Sequence, residues 1–144
     1  EKYHLEGIEV IHHTEFFDRL INEGRLSIKG SDTIFVYHDP CELGRGCGVY
    51  EEPRRVIGRA GVLVEADKNG KESICCGGSL GSLTLSFERR KALTENALNN
   101  LTVASPDVIA TACPLCRSTF NRYSDRPVKD IAEIIDEATR RKNR

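Results

Sequence analysis

The reactive side chains of this sequence are its cysteines. Of the six present, five fall into an ordered pattern: Cys41 alone, Cys75 and Cys76 adjacent, then Cys113 and Cys116 as Cys-Pro-Leu-Cys. Thiols grouped in this way point to a metal site with thiolate ligands. Zinc and iron–sulfur chemistry both use such ligands. A closed zinc site takes four, and here there is neither a second Cys-x-x-Cys nor a spaced histidine pair. His12 and His13 are adjacent, so their side chains are expected to diverge. His38 adjoins the first cysteine, either as a ligand or as a group touching the ligating sulfurs. Two neighbouring cysteines are awkward on one small tetrahedral ion but can reach different metals of a cluster. That tilts the reading towards iron–sulfur, with zinc as the competitor.

Two local devices favour charged sulfur. Pro114 suits a first helical position, which puts Cys113 near a helix N-terminus, where a thiolate is stabilised. The run Gly77-Gly78-Ser79-Leu80-Gly81-Ser82 offers backbone N–H groups that can approach sulfur closely, the glycines having no side chain in the way. N–H contacts of that kind tune iron–sulfur potentials. A plain flexible connector is the bland alternative for this loop. A phosphate loop is excluded, because no Gly-Lys-Ser/Thr follows.

The elements that must position these residues alternate strand and helix. The pattern predicts a short strand over Ile8–Ile11 and a helix over Thr14–Glu23 with Phe16, Phe17, Leu20 and Ile21 on one face. A strand buried on both faces follows at Thr33–Tyr37, then a helix over Glu52–Arg59 with Pro53 in its first turn. Gly61–Glu65 reads as a strand and 67–71 as a polar loop. A long helix over Ser86–Leu101 carries Leu93, Ala97, Leu98 and Leu101 as its buried stripe. Asp107–Thr111 is a strand delivering Cys113, and a helix from Pro114 runs to about Asn121. Val128 opens a last short strand. Asp130 and Glu133 form a capping box for a helix whose apolar face is Ile131, Ile134, Ile135 and Ala138. Alternation of this kind implies an α/β fold with a mainly parallel sheet and flanking helices, the cysteine loops gathered at one sheet edge.

A net charge of −1 over 144 residues gives no reason to expect nucleic acid or an anionic membrane surface as partner. No apolar run is long enough to span a bilayer, and the opening Glu1-Lys2-Tyr3-His4 leads into nothing like a signal peptide. A reducing, cytoplasmic compartment is therefore expected, peripheral to the inner membrane only through a complex. There, clustered cysteines serve metals or redox chemistry rather than structural disulfides, which a core of this size does not need. The segment from Val10 to Asp18 echoes that from Val128 to Asp136: Val, Glu and Asp coincide. Any strand-to-helix junction has some of this pattern. The sharper reading is that residues 1–30 are the tail of a preceding, similar module and 31–144 the cysteine-rich domain.

Tyr37-His38-Asp39-Pro40-Cys41-Glu42-Leu43-Gly44-Arg45, Gly48-Val49-Tyr50, Glu52-Pro53-Arg54, Cys75-Cys76-Gly77-Gly78 and Cys113-Pro114-Leu115-Cys116 together resemble the cysteine-rich CCG domain. The likeness runs from Thr33 to about Ala138. That domain occurs, usually twice in one chain, in heterodisulfide reductase. It also occurs in iron–sulfur subunits of glycolate oxidase, lactate-utilisation and anaerobic glycerol-3-phosphate dehydrogenase systems. The resemblance implies a [4Fe–4S] cluster, non-cubane in heterodisulfide reductase, with Cys41, Cys75, Cys76, Cys113 and Cys116 as ligands. His38, Gly77 and Gly78 would support those sulfurs. Some members of the family hold zinc. Cys47, in Gly46-Cys47-Gly48, departs from the pattern and reads as a bystander thiol or a sixth candidate ligand. Ferredoxin-type cysteine runs are absent.

Two functional classes follow. In one, the domain passes electrons between a flavin-containing dehydrogenase subunit and other iron–sulfur subunits or domains. In the other, it is a zinc-bearing structural or assembly module. Thiol–disulfide exchange through Cys113 and Cys116 ranks below both, because three further cysteines suit metal capture. No carboxylate pair or Ser–His–Asp set is spaced for catalysis. Glu51 and Glu52 read as a solvated helix start, so no substrate chemistry is expected of the chain alone.

Overall fold

Parallel strands with β-branched and aromatic side chains on both faces need cover on both sides. In the computed structural model, which describes residues 7–140 apart from the side chain of Leu80, they have it. The strands are β1 (Ile34–His38), β2 (Val62–Val64), β3 (Val108–Thr111) and β4 (Val128–Asp130), all parallel, in the order β2-β1-β3-β4. Phe35, Tyr37, Val108 and Ala110 point to one face. They meet Val56, Ile57 and Ala60 of α2 (Glu51–Ala60) and Ile131, Ile134, Ile135 and Ala138 of α5 (Ile131–Arg140). Val36, Ile109 and Val128 point to the other, against Ala97, Leu98 and Leu101 of α3 (Phe87–Thr102) and Cys116 and Phe120 of α4 (Pro114–Phe120). The first helix, α1 (His13–Asn22), lies on α2, with Phe17 and Ile21 packed against the first core.

Several expectations hold to the residue. Pro114 occupies the first position of α4, with Cys113 as its N-cap. Asp130 Oδ1 accepts the Ala132 N–H at 2.9 Å, and Glu133 reaches back to the Asp130 N–H at 2.9 Å. The echo at the other end is also a capping box: His12 Nδ1 accepts the Thr14 N–H, and Glu15 Oε2 accepts the His12 N–H at 2.8 Å.

Four expectations are corrected. Ile8–Ile11 forms no strand, and Ile8 and Val10 are exposed. A strand exists only through a neighbouring ladder, and neither sheet edge, β2 or β4, pairs with this segment. The first six residues of the proposed 1–30 tail lie outside the described residues. In α1, Phe16 is exposed while Thr14 and Asp18 are buried; Asp18 is drawn inward by Arg55 of α2, whose Nη2 is 2.7 Å from Oδ2. In α3, Leu93 is partly exposed and Thr94 takes its place in the buried stripe, because the Thr94 hydroxyl donates inward to the Cys76 carbonyl at 2.9 Å. Within the polar loop, Gly70–Glu72 turns into a short 3-10 helix.

What anchors the end of β1 is a buried ion pair. Asp39, 2% exposed, takes a bidentate contact from Arg54 of α2 at 2.7 and 2.9 Å and the Gly70 N–H at 2.8 Å. Its carbonyl accepts the Ser73 hydroxyl, and Arg54 also grips Glu65 beyond β2. One carboxylate thus ties β1, α2 and the segment leading to Cys75. Breaking a buried pair strands the surviving charge, at a cost of about 3–5 kcal/mol. Arg54→Met is expected to lower stability by that order in urea unfolding. A loss below about 1 kcal/mol would mean that Asp39 is held by its other donors.

Candidate metal centre

In an open parallel sheet, ligands gather beyond the carboxyl ends of the strands, where the connections depart in opposite directions. Here that point is the crevice between β1 and β3: the chain leaves β1 for β2 on one side and leaves β3 for β4 on the other. Register pairs His38 with Thr111, so the chain runs on from matched positions to Cys41 and to Cys113. Cys41 precedes a short π-helical turn, Glu42–Gly46, and Cys113 opens α4. A cavity of about 680 Å³ lies there. Cys41, Cys76, Cys113 and Cys116 line it, with apolar walls that include Pro40, Leu43 and Ala112. As expected, Cys41 and Cys113 share one sheet edge.

The double cysteine is brought to this edge by a loop. Gly77 adopts φ +79°, open to glycine at little cost. A Cβ at Gly77 would meet the Arg90 carbonyl at 3.0 Å, and one at Gly78 would run into the Thr119 hydroxyl. The loop is therefore clamped between α3 and α4. Ser82 fastens its far end, donating to the Gly77 and Ser79 carbonyls, each at 2.7 Å. The flexible-connector reading does not survive these contacts.

Sulfur electrostatics follow from the packing. The Gly77 N–H donates to Cys75 Sγ at 3.5 Å and the Gly78 N–H to Cys76 Sγ at 3.4 Å. Hydrogen bonds from the Cys116 and Cys75 thiols push the Cys76 thiol far below its ordinary range, with His38 and the Gly78 N–H assisting. Cys75 is pushed up by its bond to Cys76 and then by burial. Cys116 is pushed up by Cys113 and Cys76, between which it donates, and by burial. Cys113 falls to about 6 through the Cys116 hydrogen bond and the Cys116 and Leu115 N–H groups, against burial. In the metal-free site these four sulfurs therefore form a connected hydrogen-bonded chain, with Cys76 and Cys113 shifted down and Cys75 and Cys116 shifted up. His38, Cys76 and Cys116 present ligand atoms within 4.8 Å of one another. The His38 ring is held edge-on to Phe120 with centroids 4.7 Å apart. This donor set, soft, partly ionised and bonded by backbone N–H groups, fits a sulfur-ligated metal centre.

Cys41 lines the cavity, whereas Cys75, hydrogen-bonded to Cys76, is not among the residues lining it. Cys47 is exposed at the end of the π-helical turn and does not line the cavity. Sequence reasoning missed His12. The two histidine rings do not diverge: their centroids lie 4.1 Å apart, because the extended N-cap turns His12 back over the first turn of α1. That places His12 on the cavity wall, where burial and then His13 push its pKa down. A histidine followed three residues later by Glu15 was the available signal, since capping boxes ordinarily begin with Ser or Thr.

Fold and site together define a cysteine-lined crevice, a candidate metal site, at the switch point of a parallel α/β sheet. The family model of the cysteine-rich CCG domain matches residues 35–121, and the chain belongs to that family. An EtfAB:quinone oxidoreductase of Syntrophomonas wolfei is 36% identical over 143 residues, covering 88% of this chain and 20% of its own length. One subunit of the dihydromethanophenazine:CoB–CoM heterodisulfide reductase of Methanosarcina barkeri is 33% identical over 138 residues, covering 90% of this chain and 34% of its own. The probable iron-sulfur-binding oxidoreductase FadF of Bacillus subtilis is 33% identical over 142 residues, covering 91% and 20%. The chain thus spans about a fifth to a third of the length of these curated relatives.

The ionisation pattern predicts selective alkylation of metal-free protein. Because the Cys113 pKa is depressed to about 6, its thiolate is present above that pH and lost below it. Iodoacetamide labelling followed by peptide mapping should show Cys113 reacting with an inflection near pH 6, while the buried, upshifted Cys116 stays unmodified at neutral pH. An inflection for Cys113 near the ordinary thiol value would refute the assigned hydrogen bonds.

Proposed function

We propose that this chain is an iron–sulfur electron-transfer domain, its centre a [4Fe–4S] cluster held by Cys41, Cys75, Cys76, Cys113 and Cys116. The observation that carries the reading is the meeting of Cys41, Cys76, Cys113 and Cys116 at one crevice, with Cys75 hydrogen-bonded to Cys76 beside it and backbone N–H groups aimed at the sulfurs of the adjacent pair. Relatives whose names describe iron–sulfur or quinone oxidoreductases support it. When bound, such a cluster supplies one-electron redox chemistry. The chain's own residues hold it and set its surroundings. The Gly77 and Gly78 N–H groups and His38 offset negative charge on sulfur, and the apolar walls lower the local dielectric.

Electrons arrive from a flavin-containing dehydrogenase subunit and pass to other iron–sulfur subunits or domains; the chain alone turns over no substrate. Residues 1–30 are either the tail of a preceding module, a reading supported by the matched capping boxes at His12 and Asp130, or the domain's own N-terminal segment, a reading supported by the packing of Phe17 and Ile21 against its first core. One observation favours a second reading. His38, Cys76 and Cys116 are compact enough to begin a mononuclear zinc site, which would make the domain structural.

Anaerobically purified protein separates the two. A brown protein containing iron and acid-labile sulfide is expected; a colourless one with stoichiometric zinc would overturn the redox reading. Serine at any of the five proposed ligands should empty much of the site, whereas Cys47→Ser should leave metal content unchanged. His38→Ala should weaken metal retention by roughly 10–100-fold, the usual effect of losing a group that supports a ligand. Turnover with a dye acceptor should appear only when a flavin-containing partner is added.

A further inference from the structure

A second concavity, of about 180 Å³, lies on the other side of the Gly77-Gly78 turn, between α3 and α4. That is room for several waters, or for one small charged group. Arg90, Lys91 and Arg122 line it, and no carboxylate does. Lys91 is partly occupied, its Nζ lying 3.6 Å from Glu95. Arg90 Nε is buried without a hydrogen-bond partner, and neither Arg90 nor Arg122 makes an ion pair among the described residues. A guanidinium donor withdrawn from water and left unmatched calls for an acceptor. The rest of the lining suits one: Ser118 and Tyr123, both carrying hydroxyls, line the same space.

We propose that this pocket binds the phosphate group of a small phosphomonoester. Two arginines and a lysine lining one small space carry more charge than a single carboxylate would match, even with Lys91 partly paired to Glu95. A phosphate brings nearly two negative charges and three acceptor oxygens, which the fork geometry of arginine matches. Phe87 and Leu115, 58% and 47% exposed, also line the pocket and offer apolar contact to the organic part of the ligand. The site stands apart from the cavity between β1 and β3 and shares only Leu115 with its lining. Its existence depends on neither the metal nor the redox reading.

Calorimetric titration of the full chain, metal-loaded and anaerobic, with phenyl phosphate and with inorganic phosphate tests this. Saturable one-site binding of phenyl phosphate, tighter than that of inorganic phosphate, is the expected result. Equal binding of the two would still support the anion site, with free phosphate as its source. Arg90→Met and Arg122→Met should each weaken binding by about tenfold or more, the loss of a charge-assisted contact. Arg89→Met removes the same charge from α3 outside the pocket and should change affinity by less than about twofold. Arg122 is exposed, so its variant serves if Arg90→Met fails to fold. Absence of saturable binding by either phosphate, or equal weakening by all three variants, would overturn the proposal.

Discussion

The register between β1 and β3 is the constraint on which the rest depends. Parallel pairing of His38 with Thr111 fixes where two cysteine-bearing segments leave the sheet. A slip of one residue would turn His38 and Val36 to the opposite face and carry Cys41 away from Cys113. The cores on the two faces prevent that slip. Val36 and Ile109 fit only against α3 and α4, and Phe35 and Tyr37 only against α2 and α5. The hydrophobic pattern of two short strands therefore sets the geometry of the sulfurs.

The remaining station has no strand behind it. Cys75 and Cys76 reach the crevice on a loop held by polar contacts: Thr94 on the Cys76 carbonyl, Ser82 on the Gly77 carbonyl, and Arg45 on the Ser73 carbonyl at 2.9 Å. Asp39 adds a tie from the end of β1 to Gly70 and Ser73. Two stations are thus fixed by sheet register and one by hydrogen bonds, and the latter are directional enough to point specific N–H groups at sulfur.

This division decides what could be read in advance. The strand delivering Cys113, the α4 start at Pro114 and the Asp130 capping box are local patterns, and each appears where the sequence puts it. The buried Thr94 was not legible, because at that position the apolar stripe favours Leu93 and only the carbonyl of Cys76, eighteen residues earlier, makes a hydroxyl preferable. Asp39 and Arg54 were read as parts of a motif; their pairing is a tertiary fact. The stretch Ile8–Ile11 looks like a strand by propensity, yet β structure is conferred by a partner, which propensity does not supply. His12 was set aside because the side chains of adjacent histidines were expected to diverge, and its place on the cavity wall follows from the N-cap conformation that turns it back.

The clamped glycine pair has a consequence for kinetics. Gly77 and Gly78 are closely packed, with the Arg90 carbonyl and Thr119 against the positions a side chain would take, and Thr94 and Ser82 hold the neighbouring carbonyls. Their N–H dipoles therefore keep one orientation whatever charge sits on the neighbouring sulfurs. Dipoles fixed before a charge changes need not rotate when it does. For a centre that gains and loses an electron, this lowers the reorganisation energy, the part of the barrier due to surroundings adjusting to new charge. In the proposed redox centre, the same steric crowding that excludes any side chain at these two positions would keep the environment of the sulfurs alike in both oxidation states.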